Sequence, residues 1–419
     1  MSVRWPARYT VVALSFWAVF ICYIDRVNIS VAAVAMQDEF GWDETTKGMV
    51  LSSFFVGYLA LQVASGWLAN RIGGRIVLGV AVVWWSIFTM LTPPAAFVSL
   101  ALLIVTRIVL GLGEGATFPT IYTLYRRWIP ANERSRVVAL MVSAIPAGTL
   151  FALLTTGWIV ERYGWPMVFY SFGALGLVWA VAWFWFIHDD PEHDPRATDA
   201  ERALLRQHRA AVENTGAVPW GVLLRKAPVW ALVYNHFVSN WAFYVLLSWL
   251  PSYFKTVQGV SLTSAGFYSA VPWVTMFVTA NLAGWFADGL IKRGCDTTRV
   301  RKFMQTLGLV GSATFLLLVR DAGDATTAMW LMSGALGLTA CTWAGFTPNH
   351  LEIAPRYADV LLGLTNTFGT LPGIIGVAVT GWLVDVTGTY DAAFMLAAGL
   401  NISGAIVWLL WATSERVVD

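Results

Sequence analysis

Gly66-Trp67-Leu68-Ala69-Asn70-Arg71 closes an apolar run that begins near residue 46, and Gly284-Trp285-Phe286-Ala287-Asp288 closes another in the later half of the chain. A second pair recurs at nearly the same interval: Thr156-Gly157-Trp158-Ile159-Val160 returns as Thr380-Gly381-Trp382-Leu383-Val384. Two matches at nearly one offset describe a duplicated chain. Two parallel six-span repeats around a central site are the architecture of an alternating-access carrier.

The composition agrees. Of 419 residues, 57% are hydrophobic and 12% charged, with mean hydropathy +0.62, whereas soluble proteins are about 25% charged. A soluble globule of this length needs more charge to cover its surface. A soluble enzyme, a disordered chain, a disulfide-stapled module and a nucleic-acid binder are therefore excluded, and a formal charge of +2 is too balanced for a polyanion partner. The 23 Trp and 36 Gly suit helices that end at membrane interfaces and pack closely. Cys22, Cys295 and Cys341 are too few and too scattered for a disulfide framework or a metal site, and read as small apolar fillers. No cofactor is expected.

About 20 apolar residues cross the hydrocarbon. That rule gives twelve spans, near 9–35, 46–69, 76–94, 97–124, 135–160, 166–187, 229–254, 262–287, 303–319, 325–349, 359–385 and 391–412. The first is too long for a signal-peptide core and reads as a retained span. With the N-terminus cytoplasmic, 21 Arg and Lys fall on the inner side, Arg4 and Arg209 among them, and 4 on the outer side (Lys47, Arg162, Lys255 and Arg320). The bias sets the orientation, with both termini cytoplasmic. The expected fold is all-α, with twelve transmembrane helices in two pseudo-symmetric six-helix bundles. Residues 1–187 form the first and 228–419 the second, joined by a cytoplasmic linker over 188–227, in which 198–213 is expected to form a surface helix.

Ionisable groups inside a bilayer cost about 3 kcal/mol each on insertion scales, so they persist where they pair or face water. Four stand well inside spans: Asp25 and Arg26 in the first, Arg107 and Glu114 in the fourth. Seven residues return a helix to nearly the same face, so Arg107 and Glu114 are expected to look the same way. Gly111, Gly113 and Gly115 thin that helix wall and admit a neighbour. Guanidinium groups hold carboxylates or phosphates in a two-point fork, which makes Arg26 and Arg107 candidate anion anchors. A carboxylate in a partly dry cavity takes up a proton more readily, which makes Asp25 and Glu114 candidate coupling sites. Ionised, such an acid competes for the arginine; protonated, it releases the arginine to a substrate anion. The alternative, a buried ion pair that only locks helices, does not explain four charges on two spans.

The second half has no charge at mid-depth. Asn235, His236, Asn240, Tyr244, Thr342, Trp343, Asn349, His350 and Asn366 read individually as helix–helix hydrogen bonds. Glu133-Arg134 and Asn70-Arg71, at cytoplasmic ends, read as parts of an inward gate.

Gly66–Arg75 resembles the loop motif of the major facilitator superfamily, with Asn70 where that motif usually has Asp; Gly284–Asp288 keeps the Asp. Within the superfamily the chain resembles the anion:cation symporters, a group that includes bacterial sugar-acid transporters, sialin, the vesicular glutamate transporters and the plastid and type I phosphate transporters. The matching stretches are Asp25–Asn28, Ser52–Tyr58, Arg107 with Gly111–Gly115, Glu133–Arg136, Asn240-Trp241, Asn349–Tyr357 and Gly363–Asn366. The resemblance implies that Arg26 and Arg107 bind the anion, that Asp25 and Glu114 couple protons, and that Tyr58, Tyr244 and Asn366 line the site. It also implies a gate that includes Asn70, Arg71, Arg75, Glu133, Arg134 and Asp288. Leu51 and Phe118 stand where the glutamate transporters have His and Tyr, and Ile145 where sugar-acid transporters have a polar side chain, so neither specificity is implied.

The expected function is a secondary transporter that moves a small organic or inorganic anion, a carboxylate such as a sugar acid or phosphate, with a proton. It is expected to be a monomer in the bilayer of a plasma (inner) membrane, with no nucleic-acid partner. Sodium-coupled phosphate transport is the alternative within that class. A polytopic enzyme would need a catalytic cluster, and the five His (His188, His193, His208, His236 and His350) are scattered; a receptor would need an output domain longer than the linker.

Overall fold

The repeat and the spans appear as helices in a computed structural model that describes residues 5–208 and 218–418, the side chains of Val63, Ala131 and Ser135 excepted. Arg4, Arg209 and the end of the surface helix expected over 198–213 lie outside the described residues.

The first half runs α1 (Ala7–Phe40), α2 (Glu44–Ile72), α3 (Gly74–Val98), α4 (Leu100–Gly115), α5 (Thr117–Trp128), α6 (Ala131–Tyr163) and α7 (Trp165–Phe186). The linker carries α8 (Asp199–His208) and α9 (Trp220–Leu223). The second half runs α10 (Ala227–Thr256), α11 (Leu262–Lys292), α12 (Thr297–Leu318), α13 (Ala325–Thr339), α14 (Thr342–Ile353), α15 (Ala358–Thr387) and α16 (Asp391–Trp411). Polar side chains cap several helices where the chain re-enters. Ser99 Oγ accepts from the Leu102 N–H, and Asp324 accepts from the N–H groups of Thr326 and Thr327.

Nine helical stretches among the described residues are long and apolar enough to span a membrane, or ten if α2, bent by 49° between Gln62 and Ala64, counts as one. The two expected spans outside that count explain themselves. α10 is diluted by Asn235, His236 and Asn240, yet it is the most enclosed helix of its half. The tenth span is broken between α13 and α14, around Ala340 and Cys341. The fourth span breaks in the same way at Ala116, the corresponding place in the first half, so the duplication extends to helix geometry. With these two, the fold is the twelve-helix, two-bundle architecture. Large apolar side chains such as Val98, Trp185 and Trp285 are left outward, as a lipid-facing surface requires.

The chain divides into two compact units. One comprises residues 1–29 and 53–214; the other comprises 30–52 and 215–419. The division differs from a cut at the linker because the end of α1 and the start of α2 pack with the second half. There Asp385 of α15 caps α2, accepting from the N–H groups of Glu44 at 2.9 Å and Thr45 at 2.6 Å. Lys47 pairs with Glu44 at 2.7 Å and lies 5.0 Å from the Trp249 ring.

In the first unit the described part of the linker is docked. Glu201 of α8 accepts from the N–H groups of Ala7 and Arg8, capping α1, and Arg8 bridges Glu201 to Glu133 of α6, each at 3.1 Å. Gly73, at φ 98°, turns the chain into α3 beside the Asp189 carboxylate, which accepts from the Arg75 N–H at 2.7 Å.

α2 and α4 meet at glycines. A Cβ on Gly111 would collide with the Phe54 carbonyl, and one on Gly115 would lie 2.6 Å from the Tyr58 carbonyl. Gly111→Ala should therefore lower stability by about 1–3 kcal/mol, read as a drop in thermal midpoint in detergent. Gly284→Ala, where nothing lies within 4 Å, should leave the midpoint unchanged or slightly raised. Equal tolerance at both positions would refute the close helix contact.

Candidate functional site

The spacing that predicts a shared face for Arg107 and Glu114 is realised inside the first unit. Asp25, Arg26, Arg107 and Glu114 are each at most 5% exposed, so none faces lipid. Arg26 Nη2 donates to Glu114 Oε2 at 3.1 Å, with Arg26 Nε 3.4 Å from the same oxygen. The guanidinium is enclosed by three rings, with its central carbon 4.5 Å from the centre of Tyr58, 4.7 Å from Tyr23 and 5.0 Å from Phe54. Rings at this distance stabilise a desolvated cation by about 2 kcal/mol. The glycine contact between α2 and α4 presents Phe54 and Tyr58 of α2 to this place.

Arg107 has a different environment. Its guanidinium carbon lies 5.5 Å from the centre of the same Phe54 ring, and its Nε and Nη1 are buried without a hydrogen-bond partner. Both carboxylate oxygens of Asp25 and the second oxygen of Glu114 are also without a hydrogen bond. The four charges lie close enough to act on one another, and Trp85 of α3 faces Asp25. The site is thus one satisfied pair, Arg26–Glu114, beside an arginine and an aspartate whose bonding capacity is unused. Buried donors and acceptors left unsatisfied cost about 1–3 kcal/mol each.

Cys22 corrects the reading of the cysteines as fillers. Its thiol donates to Glu114 Oε2 at 3.1 Å, one turn before Arg26 on α1. The spacing of Cys22 and Arg26, four residues apart on one helix, was the available signal. Cys341 is buried, but Cys295 is exposed in the turn before α12.

Tyr244 and Asn366 lie in the second unit, on α10 and α15. Tyr244 is buried with its ring edge-on to Phe243, and Asn366 is half-buried. Asn240, one turn before Tyr244, donates to the Gly369 carbonyl at 2.7 Å and ties α10 to α15.

The six gate residues are engaged separately. Asn70 and Arg71 are exposed, with Arg71 5.2 Å from the Trp67 ring of its own helix. Arg75 donates to the Phe184 carbonyl at 2.6 Å and is tied to Asp189, Glu133 pairs with Arg8, and Arg134 reaches the Ile129 carbonyl at 3.4 Å. Asp288, in the second unit, is exposed. The sequence pointed to none of the linker partners, Asp189 and Glu201, because a carboxylate in a polar loop has no periodicity to mark it.

The profile of the Major Facilitator Superfamily matches residues 15–377. The chain is 42% identical over 416 residues to Sodium-dependent phosphate transport protein 1, chloroplastic, of Arabidopsis thaliana, across 99% of this chain and 81% of that protein. It is 34% identical over 444 residues to Sialin of Homo sapiens, across 98% of this chain and 90% of that one. Among solved structures, a bacterial homolog to the human lysosomal transporter Spinster, in an inward-facing and occupied conformation, matches with a TM-score of 0.79 at 17% identity over 97% of each chain, a likeness of fold.

The unequal satisfaction of the two acids makes a prediction. Glu114→Ala strands Arg26 in the interior and should destabilise the protein by about 3–5 kcal/mol. Asp25→Asn removes a carboxylate that pairs with no arginine and has only the Trp85 indole beside it, and should cost much less. Thermal unfolding of the purified variants checks this, and an Asp25→Asn loss as large as that of Glu114→Ala would contradict the assignment.

Proposed function

The chain belongs to the Major Facilitator Superfamily, and we propose that it is a secondary transporter that carries an anion, an organic carboxylate such as a sugar acid or phosphate, in symport with a proton by alternating access. The observation that carries this reading is the buried set in the first unit: Arg26 held by Glu114, and Arg107 with two guanidinium nitrogens unsatisfied. The name of the Arabidopsis relative, a phosphate transport protein, agrees with an anionic cargo.

An incoming carboxylate or phosphate offers oxygens to Arg107, and a guanidinium receives them in a planar fork. Arg26 stays committed to Glu114 while that carboxylate is ionised. A proton on Glu114 weakens the pair and frees Arg26 as a second anchor, so that anion and proton enter together. Asp25, which acts electrostatically on Arg107, is the second coupling acid, and Tyr58, Tyr244 and Asn366 complete the lining. Asn70, Arg71, Arg75, Glu133, Arg134 and Asp288 serve the gate on the arginine-rich side. That side is cytoplasmic and holds both termini; the support is the bias of Arg and Lys.

Sodium-coupled phosphate transport is favoured by one observation, the name of the Arabidopsis relative. A proton needs one titratable acid, whereas sodium needs several converging oxygens. In proteoliposomes containing the purified protein, labelled phosphate and labelled gluconate should accumulate under an imposed pH gradient. Accumulation under a sodium gradient alone would transfer the reading to sodium. Arg107→Ala should abolish uptake with the fold intact, and Arg26→Lys should reduce it at least tenfold because the fork is lost. Glu114→Gln should lose pH-driven accumulation but keep exchange of internal for external anion. Full uptake in Arg107→Ala would end the anchor assignment.

A further inference from the structure

The second unit holds a cluster that this transport reading leaves unused. His236 of α10, Thr365 of α15 and His350 of α14 are all buried. His350 Nδ1 lies 2.8 Å from the Thr347 carbonyl, His350 Nε2 lies 2.8 Å from Thr365 Oγ1, and His236 Nδ1 lies 3.1 Å from that same hydroxyl oxygen. A carbonyl only accepts, so His350 Nδ1 carries a proton. In a neutral ring His350 Nε2 then accepts, and the Thr365 hydroxyl donates to it. His236 Nδ1 must in turn donate to Thr365. The Leu362 carbonyl competes for the hydroxyl proton but stands further off, at 3.2 Å. The result is a one-directional chain of hydrogen bonds through three helices with both imidazoles neutral.

We propose that His236, Thr365 and His350 form a proton-binding relay in the second unit. The proton enters at His236 Nε2. That nitrogen lies beside Gly369, where a Cβ would come within 2.8 Å of it and 2.5 Å of the ring's Cδ2, so only glycine leaves the ring room. Protonation there drives the Nδ1 proton to Thr365 Oγ1, and the hydroxyl's own proton passes to His350 Nε2. One proton is gained and none lost. His236 ends neutral as the Nε2–H tautomer, and its Nδ1 now accepts from Thr365. His350 ends as an imidazolium that donates to the Thr347 carbonyl and to Thr365. The Nδ1 of His236, the Thr365 hydroxyl and both nitrogens of His350 keep a partner in both states.

Each imidazole is the titratable group that faces the other, with ring centres 6.4 Å apart. Among the described residues, no charged side chain of α10 to α16 acts on either ring. Glu352, on the turn after His350, is held by Arg301 of α12 at 2.7 Å. His236, Asn240 and Tyr244 follow one another at intervals of four on one face of α10, so the relay opens onto the same stripe as the proposed lining residue Tyr244. As a path for the coupled proton, the relay rests on the proton-symport reading; as a hydrogen-bond chain, it stands alone.

Nitrogen-15 NMR of histidine-labelled protein in nanodiscs, titrated from about pH 8 down to about pH 3, tests it without knowledge of the cargo. At the high end both rings should be Nδ1–H tautomers. On acidification one transition should charge His350 and move His236 to the Nε2–H tautomer at the same midpoint. Thr365→Val should abolish the joint transition and Thr365→Ser should keep it; Arg107→Ala, in the other unit, should also keep it. Separate midpoints, a fixed His236 tautomer, or no proton uptake by either ring in the wild type would overturn the relay, and the wild type alone decides if Thr365→Val does not fold. A joint transition without pH-driven uptake in proteoliposomes would retire proton symport and leave the relay. The reverse result would retire the relay and leave symport.

Discussion

A guanidinium buried in the interior of a membrane bundle is tolerable only if its charge is answered on every side, and Arg26 is so answered. Glu114 neutralises it, and Tyr23, Phe54 and Tyr58 present their ring faces. That arrangement makes demands on the backbone. Phe54 and Tyr58 reach the charge because α2 lies against α4 at separations that only glycine permits, at Gly111 and Gly115. Glu114 stands in the last turn of α4, just before the break at Ala116. Close packing, helix break and charge pair are one solution to one desolvation problem.

The duplication that built the fold did not duplicate this chemistry. At the interval that separates Thr156 from Thr380, the counterparts of Arg107 and Glu114 are Leu331 and Leu338. Beside the Arg301–Glu352 pair between α12 and α14 and the Asp385 cap on α2, the second unit joins its helices with neutral groups: Asn235 and Gln305 across α10 and α12 at 2.9 Å, Asn240 on the Gly369 carbonyl, and the two histidines on Thr365. Net hydrogen bonds of this sort contribute about 0.6 kcal/mol each in membrane proteins, far less than a buried ion pair puts at stake. These neutral contacts of the second unit can therefore be rearranged at small cost.

The features legible in the sequence are those that burial forces on composition. Lipid demands long apolar helices, so the spans could be counted, and charges at mid-depth are so costly that Asp25, Arg26, Arg107 and Glu114 stood out. The seven-residue spacing of Arg107 and Glu114 gave their common face because helical periodicity is fixed. What stayed hidden depends on contacts between distant segments. Cys22 looks apolar until Glu114 is placed beside it. α10 fails a hydropathy threshold because it is wrapped by protein, and its Asn and His side chains meet partners rather than lipid. His236 and His350, read singly, are ordinary helix polar groups, and only Thr365, which brings them to one oxygen, gives them a joint chemistry. The break at Ala116 has local signals, Gly115 before it and Pro119 after it, since Pro119 has no N–H to offer the Gly115 carbonyl; the break at Ala340 has no proline beside it.

The charge count in the first unit bears on how cargo and proton belong together. Two arginines and two acids sum to zero when all are ionised. A monoanion arriving alone would leave the buried set with one uncompensated negative charge, at a cost of several kcal/mol. A proton arriving alone on Glu114 would leave it with one uncompensated positive charge, now spread over Arg26 and Arg107. Only both together, or neither, keeps the interior neutral. On the proposed reading, tight coupling therefore needs no mechanical linkage between an ion site and a substrate site: the low polarity of the bundle penalises each half-loaded state, and it does so because Arg26 and Glu114 are buried where water cannot screen them.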